Sequence, residues 1–360
     1  MKKKLILAAG VLFLMGCLAG CGKKTSTEDV ALVTESSIQG DLLSQIETTA
    51  QQYASDNGLT LNVHQAASSD VSDYEVAIQE AADAGATAII GYGEDFEIPL
   101  YTMQKKYKKV DFIIIDGEPR KAEDKSSELR KNTTAIVFDE RQAGFLAGYA
   151  AVKDGYKNIG FMGGIKESSV AAYGSGFVQG ANYAAQEMSL TSSDVTIRYT
   201  YLGTNDLSPS VMAQADAWYS DGCELIFTNG GSIGAAVLKA AQDSSAKVIT
   251  SDVATTSDGQ CLVTSAVKNV NDILTTTLDD IFNGDFDEGK TTQSMDLSND
   301  GVSLVMDSAV FNQFTETDYS DIVSKITGGD VTVSDKYVSA LTRGGDALAN
   351  VTVNFVSADS

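Results

Sequence analysis

The chain of 360 residues contains one histidine, His64. That scarcity removes most nucleophilic and metal chemistry. A Ser–His or Cys–His pair would have to use His64. So would a zinc site, with distant thiols or carboxylates and no ligand spacing to support it. His64 closes the run "LTLNVHQ" and reads as a strand-end residue. Cysteines are also few: Cys17 and Cys21 near the amino terminus, then Cys223 and Cys261. The last two lie in or beside apolar strand-like runs and read as buried free thiols, with a disulfide outside the cell as the alternative. Positive charge is in deficit, with 26 Lys and Arg against 49 Asp and Glu and a formal charge of −23. Phosphate backbones and anionic surfaces repel such a chain, so nucleic acid is not an expected partner. Past the first twenty residues no apolar run approaches the roughly 20 residues of a bilayer span. Carboxylates abound, yet no pair stands out as a glycosidase couple. No catalytic residue, metal or cofactor is assigned.

The amino terminus has its own pattern. Lys2, Lys3 and Lys4 precede an apolar run, "LILAAGVLFLMGCL", and small Ala19 and Gly20 precede Cys21. A positive start, an apolar stretch and a small-residue cleavage site describe a secretory signal. Leu18-Ala19-Gly20-Cys21 resembles the bacterial lipobox, which implies residues 1–20 as signal peptide and Cys21 as the lipid-carrying first residue of the mature protein. Each lipid CH₂ buried in a bilayer contributes about 0.8 kcal/mol, and two or more chains give a stable anchor. Residues 21–29 then read as a polar tether, and the body is expected at the outer face of a cell membrane or in a periplasm.

The body holds enough apolar residues for real cores, the whole chain being 43 % hydrophobic, and its length fits two domains. Strand-like and helix-like runs alternate. "DVALVTE", "LTLNVHQ", "ATAIIGYG" and "VDFIIID" read as strands with helices between them. "KNIGFMGG", "VTIRYTYLG", "CELIFTNGG" and "AKVITSD" repeat the pattern. "AGATAIIGYG" aligns with "DGCELIFTNGG", and "KKVDFIIIDG" with "SAKVITSDVA". The expected fold is α/β, with two doubly wound parallel-sheet lobes joined by a hinge and four strands to each half. Residues 30–136 with about 253–290 are expected in the first lobe, and 137–252 with about 291–360 in the second. A closing strand is expected near the end of "SALTRGGDALANVTVNFVSADS". Ligands of open α/β sheets sit beyond the carboxyl ends of the strands, so facing lobes form a cleft for a small molecule.

The segment "FDERQAGFLAGYAAVKDGYKNIGFMGGI" resembles the basic membrane protein family of lipoprotein receptors, also called Med or PnrA-like. The likeness continues through "YGSGFVQGANYA", "DGCELIFTNGGSIGAAVLKAA" and "SDVATTSDGQCLVTSAVKNV". It implies a type I periplasmic binding protein fold, a solute receptor of an ABC importer with a membrane permease as partner, and a nucleoside as ligand. A monomer is expected. Asp252 and Lys268 match the family's ligand-facing aspartate and lysine, a carboxylate and an ammonium suited to clamping ribose hydroxyls. The residues themselves add further candidates. Gly144 and Gly148, one helical turn apart, let a helix lie close to a neighbour. Gly163-Gly164 and Gly230-Gly231 each follow a strand and open a helix, and read as tight turns facing the cleft. "GSGFVQG" is a poor dinucleotide loop because it lies within a helix pattern.

The departures bear on the ligand. The family's first-loop phrase aligns with Ile38 to Gln45, so Leu43 stands where a base-stacking aromatic is expected and Ser44 stands in place of asparagine. The second stacking position falls near Thr204-Asn205-Asp206, and the family's second aspartate is Ala254. Tyr92, Phe96 and Tyr173 are the aromatics placed to compensate. A sugar or signalling-molecule receptor on the same fold is therefore the alternative, followed by a carboxylate-dependent extracellular hydrolase. A LacI-type regulator, which shares the two-lobe body, is opposed by the export signal and the acidic charge.

Overall fold

A computed structural model describes residues 28–35, 40–252, 260–286, 290–343 and 348–356. Cys21 and the tether up to residue 27 lie outside the described residues, as does Ala254. The first half comprises β1 (Val30–Glu35), α1 (Asp41–Asn57), β2 (Leu61–Ala66), α2 (Val71–Ala84), β3 (Ala88–Tyr92), α3 (Glu97–Lys106), β4 (Asp111–Ile115) and β5 (Thr133–Phe138). The second comprises α4 (Glu140–Lys153), β6 (Asn158–Gly163), α5 (Ser168–Glu187), β7 (Thr196–Tyr201), α6 (Pro209–Ser220), β8 (Leu225–Asn229), α7 (Ile233–Ser244), β9 (Lys247–Ser251) and β10 (Leu262–Lys268). There follow α8 (Val270–Asn283), β11 (Thr291–Met295), β12 (Val302–Leu304), α9 (Glu316–Thr327), α10 (Val338–Leu341) and the closing β13 (Thr352–Phe355).

These strands form two sheets. One has the order β11-β5-β4-β3-β1-β2 and the other β12-β10-β9-β8-β6-β7-β13. Pairing is parallel except between β10 and β12. Strand β1 is buried along its whole length. Its Val30 and Leu32 enter one apolar cluster with α1, and its Ala31 and Val33 enter another with α2 and α3. Helices thus cover both faces, which is why the strands read as continuous apolar runs instead of alternating ones.

Three features of the lobes differ from the sequence reading. Strand β5 adds to the first sheet and runs to Phe138, past the expected edge at residue 136. Strand β10 pairs with β9 in the second sheet, although residues 253–290 were assigned to the first lobe. Strand β11 pairs with β5 in the first sheet, although residues 291–360 were assigned to the second lobe. The physical reason is that an apolar run identifies a strand but not its neighbour. Strand β10 is buried at every residue and needs a place covered on both faces, which the edge left by β9 supplies. Helix α8 returns to the first lobe, where Asp279 accepts a hydrogen bond from Tyr53 of α1 at 3.0 Å. The chain therefore passes between the sheets after Phe138, after Lys268 and after Met295.

Glycines bring α4 and α5 into backbone contact. A Cβ on Gly144 would stand 2.1 Å from the Tyr173 carbonyl oxygen, and one on Gly148 would stand 1.9 Å from that of Phe177. Gly176 and Gly180 meet α4 reciprocally, at the carbonyls of Arg141 and Phe145. The run "GSGFVQG" is thus mid-helix, and its glycines serve packing. Behind α4, Asp154 accepts backbone N–H groups of Asn312, Gln313 and Phe314 at 2.6, 2.6 and 2.9 Å, which fastens the segment before α9. Cys223 and Cys261 are free, the first buried and the second half-buried. Gly148→Ala should cost about 3 kcal/mol in urea unfolding, because only a backbone shift could relieve the overlap. Gly58→Ala, at the left-handed end of α1 with open space around it, should cost about 1 kcal/mol. Equal costs would contradict the packing account.

Candidate ligand site between the two sheets

The carboxyl ends of the two sheets meet at a group of charged side chains. Asp116 follows β4 and Asp252 follows β9, the aligned strands of the two halves. Both carry left-handed backbones, with φ of 58° and 59°. Both point their N–H at the next strand over, Asp116 to the carbonyl of Ile136 and Asp252 to that of Ala266, each at 2.9 Å. A positive φ at a residue other than glycine is strained, and such strain gathers at functional sites.

Lys268, the last residue of β10, lies between them. Its side chain is 2 % exposed, and its Nζ stands 2.5 Å from Asp116 and 3.0 Å from Glu140, the first residue of α4. It also donates to the Ser169 hydroxyl at 3.3 Å. The ring of Tyr173 lies 5.7 Å from the ammonium and that of Phe138 5.8 Å. Asp252 accepts from the Lys268 backbone N–H and from the Tyr173 hydroxyl, both at 3.3 Å. Asp252 and Lys268 thus meet through the lysine backbone. The ammonium itself is held by Asp116 and Glu140.

Three carboxylates gather about one ammonium, two of them paired with it, and the electrostatics follow from that excess. Burial pushes Asp252 up to about 6, against the pull of Lys268. Burial raises Asp116 as well, with Lys268 opposing and Glu140 assisting. Burial works against the Lys268 charge, but Asp116 and Glu140 outweigh it and hold the ammonium well above its ordinary range. Burial first, then Asp116, raises the Tyr92 hydroxyl. One Asp116 oxygen, Oδ1, is buried without a hydrogen-bond partner among the described residues.

The other candidates divide. Tyr92 ends β3, is half-buried, and faces this cluster electrostatically. Tyr173 is completely buried, so it positions Asp252 and cannot act as an open platform. Phe96 is a core residue and not a ligand contact. It is fully buried, packs over Gly91 and meets Tyr74 edge-on at 6.0 Å. Ser44 spends its hydroxyl on the Gly40 carbonyl at 3.0 Å, one turn back in its helix. Its neighbour Gln45 instead reaches across to the Asp252 carbonyl at 2.6 Å. Gly230 and Gly231 turn with φ of 132° and 49° and abut Gly164 and Asn205, so their close approach serves loop packing. Leu43 is buried, and Asn205 accepts from the Ile165 N–H at 2.9 Å. Sequence reasoning missed Asp116, Glu140 and Gln45. The alignment of "VDFIIID" with "KVITSD" carried the signal for Asp116.

A carboxyl group raised by burial contributes stability below its unfolded value near 4, and that contribution is lost as pH rises through the folded value near 6. The ligand-free protein should therefore lose stability between pH 4 and pH 6 through Asp252. Asp252→Asn should flatten that slope and be no less stable than wild type at pH 7.5 by urea unfolding. A variant strongly destabilised at pH 7.5 would make Asp252 a structural residue.

Comparison with known proteins identifies the family. The family described as ABC transporter substrate-binding protein PnrA-like (Bmp) matches residues 27–336. The chain is 26 % identical over 331 residues to basic membrane protein D of Borreliella burgdorferi, which spans 90 % of this chain and 91 % of that protein. It is 24 % identical to the ABC transporter nucleoside-binding protein BmpA of Lactococcus lactis, covering 93 % of this chain and 100 % of that one. An ABC transporter system solute-binding protein from Conexibacter woesei shares the fold, with a TM-score of 0.67 and 18 % identity over 86 % of this chain and 99 % of its own. The chain belongs to the PnrA-like (Bmp) family of ABC transporter substrate-binding proteins, a family of type I periplasmic binding protein fold.

Proposed function

We propose that this protein is a lipid-anchored receptor, held by Cys21 outside the membrane, that captures a nucleoside between its sheets and delivers it to an ABC importer. The observation that carries the ligand reading is the Asp116–Lys268 pair at the meeting of the lobes. Asp116 Oδ1 is an unpartnered acceptor beside a buried ammonium donor. One hydroxyl of a ribose donates to that carboxylate oxygen, and its vicinal neighbour takes the place of the Ser169 hydroxyl, the longest of the three contacts, as acceptor for Lys268. The nucleoside-binding relative in Lactococcus lactis, aligned over nearly the whole chain, supports the same reading. Tyr92, half-buried against the core at the end of β3, is our candidate to lie against a base, since Leu43, Phe96 and Tyr173 are more deeply buried. The smaller aromatic provision favours a second reading, a sugar without a base, and the same experiment separates the two.

Thermal unfolding of the purified body with adenosine, guanosine, inosine, uridine and a set of pentoses and hexoses should show stabilisation by a nucleoside. A ligand at 100 times its dissociation constant stabilises by about 2.7 kcal/mol. Lys268→Met and Asp116→Asn should weaken that ligand about tenfold or more. A shift with a sugar and none with any nucleoside would replace the first reading by the second. Cys21→Ser should move the protein from the membrane fraction to the medium or periplasm, and retention in the membrane would refute anchoring at that residue.

A further inference from the structure

We infer that Asn229, with Ser251, reads the base edge of the bound nucleoside; the inference rests on the nucleoside reading above. Asn229 is the last residue of β8, where the strand meets the cleft, and is 6 % exposed. Its carbonyl accepts from the Gly164 N–H at 2.8 Å, which ties the strand end to the neighbouring loop. Two residues back, Phe227 meets the ring of Tyr173 at 6.0 Å, and Tyr173 donates to Asp252. Residues two apart on a strand share a face, so Asn229 stands on the Tyr173 side of the sheet. Ser251, which ends the adjacent strand β9, immediately precedes Asp252.

The Asn229 amide nitrogen donates to the Ser251 hydroxyl at 2.6 Å, and its Oδ1 is buried with no partner among the described residues. A buried polar atom left unpaired is costly, and such atoms are few in native proteins. Reversing the carboxamide spends Oδ1 on the serine and leaves Nδ2 unpaired, so either orientation offers one amide atom. In the orientation described, a free acceptor lies beside a hydroxyl that has a proton to donate. Every nucleobase presents a donor next to an acceptor along one edge. With the ribose held at Asp116 and Lys268, this pair supplies base recognition by hydrogen bonds where the aromatic platforms are missing.

Calorimetric titration of the wild type, Asn229→Ala and Asp116→Asn with inosine, guanosine, adenosine and uridine tests this, because the four share one ribose. Asn229→Ala should weaken the favoured nucleoside about tenfold or more and narrow the spread among the four. Asp116→Asn should weaken all four alike. Asn229→Ser and Ser251→Ala, with melting temperatures recorded without ligand, give the same readout if Asn229→Ala fails to fold. Nucleoside binding whose strength and ranking ignore Asn229 overturns the assignment and leaves the nucleoside reading standing. A wild type that binds a sugar and no nucleoside overturns both.

Discussion

The structure depends on one buried ammonium. Lys268 holds Asp116 from the first sheet and Glu140 from the helix that leaves it, while its backbone holds Asp252 from the second sheet. Removing an ion from water costs several kcal/mol, and the cost is offset only where partners are close and hydrogen-bonded. Glu140 lies beside the second sheet with Lys268 and Asp116 belongs to the first, so the ammonium gains its second carboxylate only when the two sheet ends meet. The same site carries more acid than base. Burial holds Asp116 and Asp252 above the ordinary carboxylate range, an excess that donor groups placed against them would relieve.

The duplication visible in the chain explains how such a site forms. Asp116 bonds Ile136 of β5 as Asp252 bonds Ala266 of β10. Two residues further along each strand stand Phe138 and Lys268, equivalent positions of the two halves, which face one another at 5.8 Å. From there the chain exchanges lobes: β5 leads into α4 beside the second sheet, and β10 leads into α8 beside the first. The repeat therefore crosses itself at the site. Its two copies contribute matching aspartates but unlike partners, a ring on one side and an ammonium on the other. That broken symmetry gives the charged cluster a direction.

Most of the regular structure was legible because the strands are buried on both faces and the helices end in recognisable caps. "DVALVTE" and "AKVITSD" could hardly be anything but central strands. The membership of β10 and β11 was not legible, since a strand's neighbour is decided by contacts distant in sequence. In the site, Asp252 and Lys268 were readable from family likeness, and Asp116 was available from the internal alignment. Phe96 misled because a phenylalanine beside a cleft loop and one over a glycine in the core look alike in one dimension; only Gly91 beneath it separates them. Glu140 was hidden by its place in a helix cap region, where acidic residues are commonplace.

The packing also divides the molecule into parts that hold and parts that yield. Helices α4 and α5 interlock through backbone contacts that admit no side chain, and they carry Glu140, Ser169 and Tyr173 as one rigid group. Contacts across the lobes are of another kind: Gln45 to the Asp252 carbonyl, Glu94 to the Ser168 N–H at 3.3 Å, and the Lys268 pair. A neutral hydrogen bond contributes about 1 kcal/mol net and one to a carboxylate about 1.5–3 kcal/mol, so these two add only a few kcal/mol between the lobes. The rim is acidic on both sides. Burial, then Glu94 and Asp95 of the first lobe, raises Glu167 of the second. Shifting a two-state equilibrium from mostly open to mostly closed takes about 5.5 kcal/mol of differential binding. A solute that bonds Asp116 on one side and the rigid α4–α5 group on the other would gain both sets of contacts only with the lobes together.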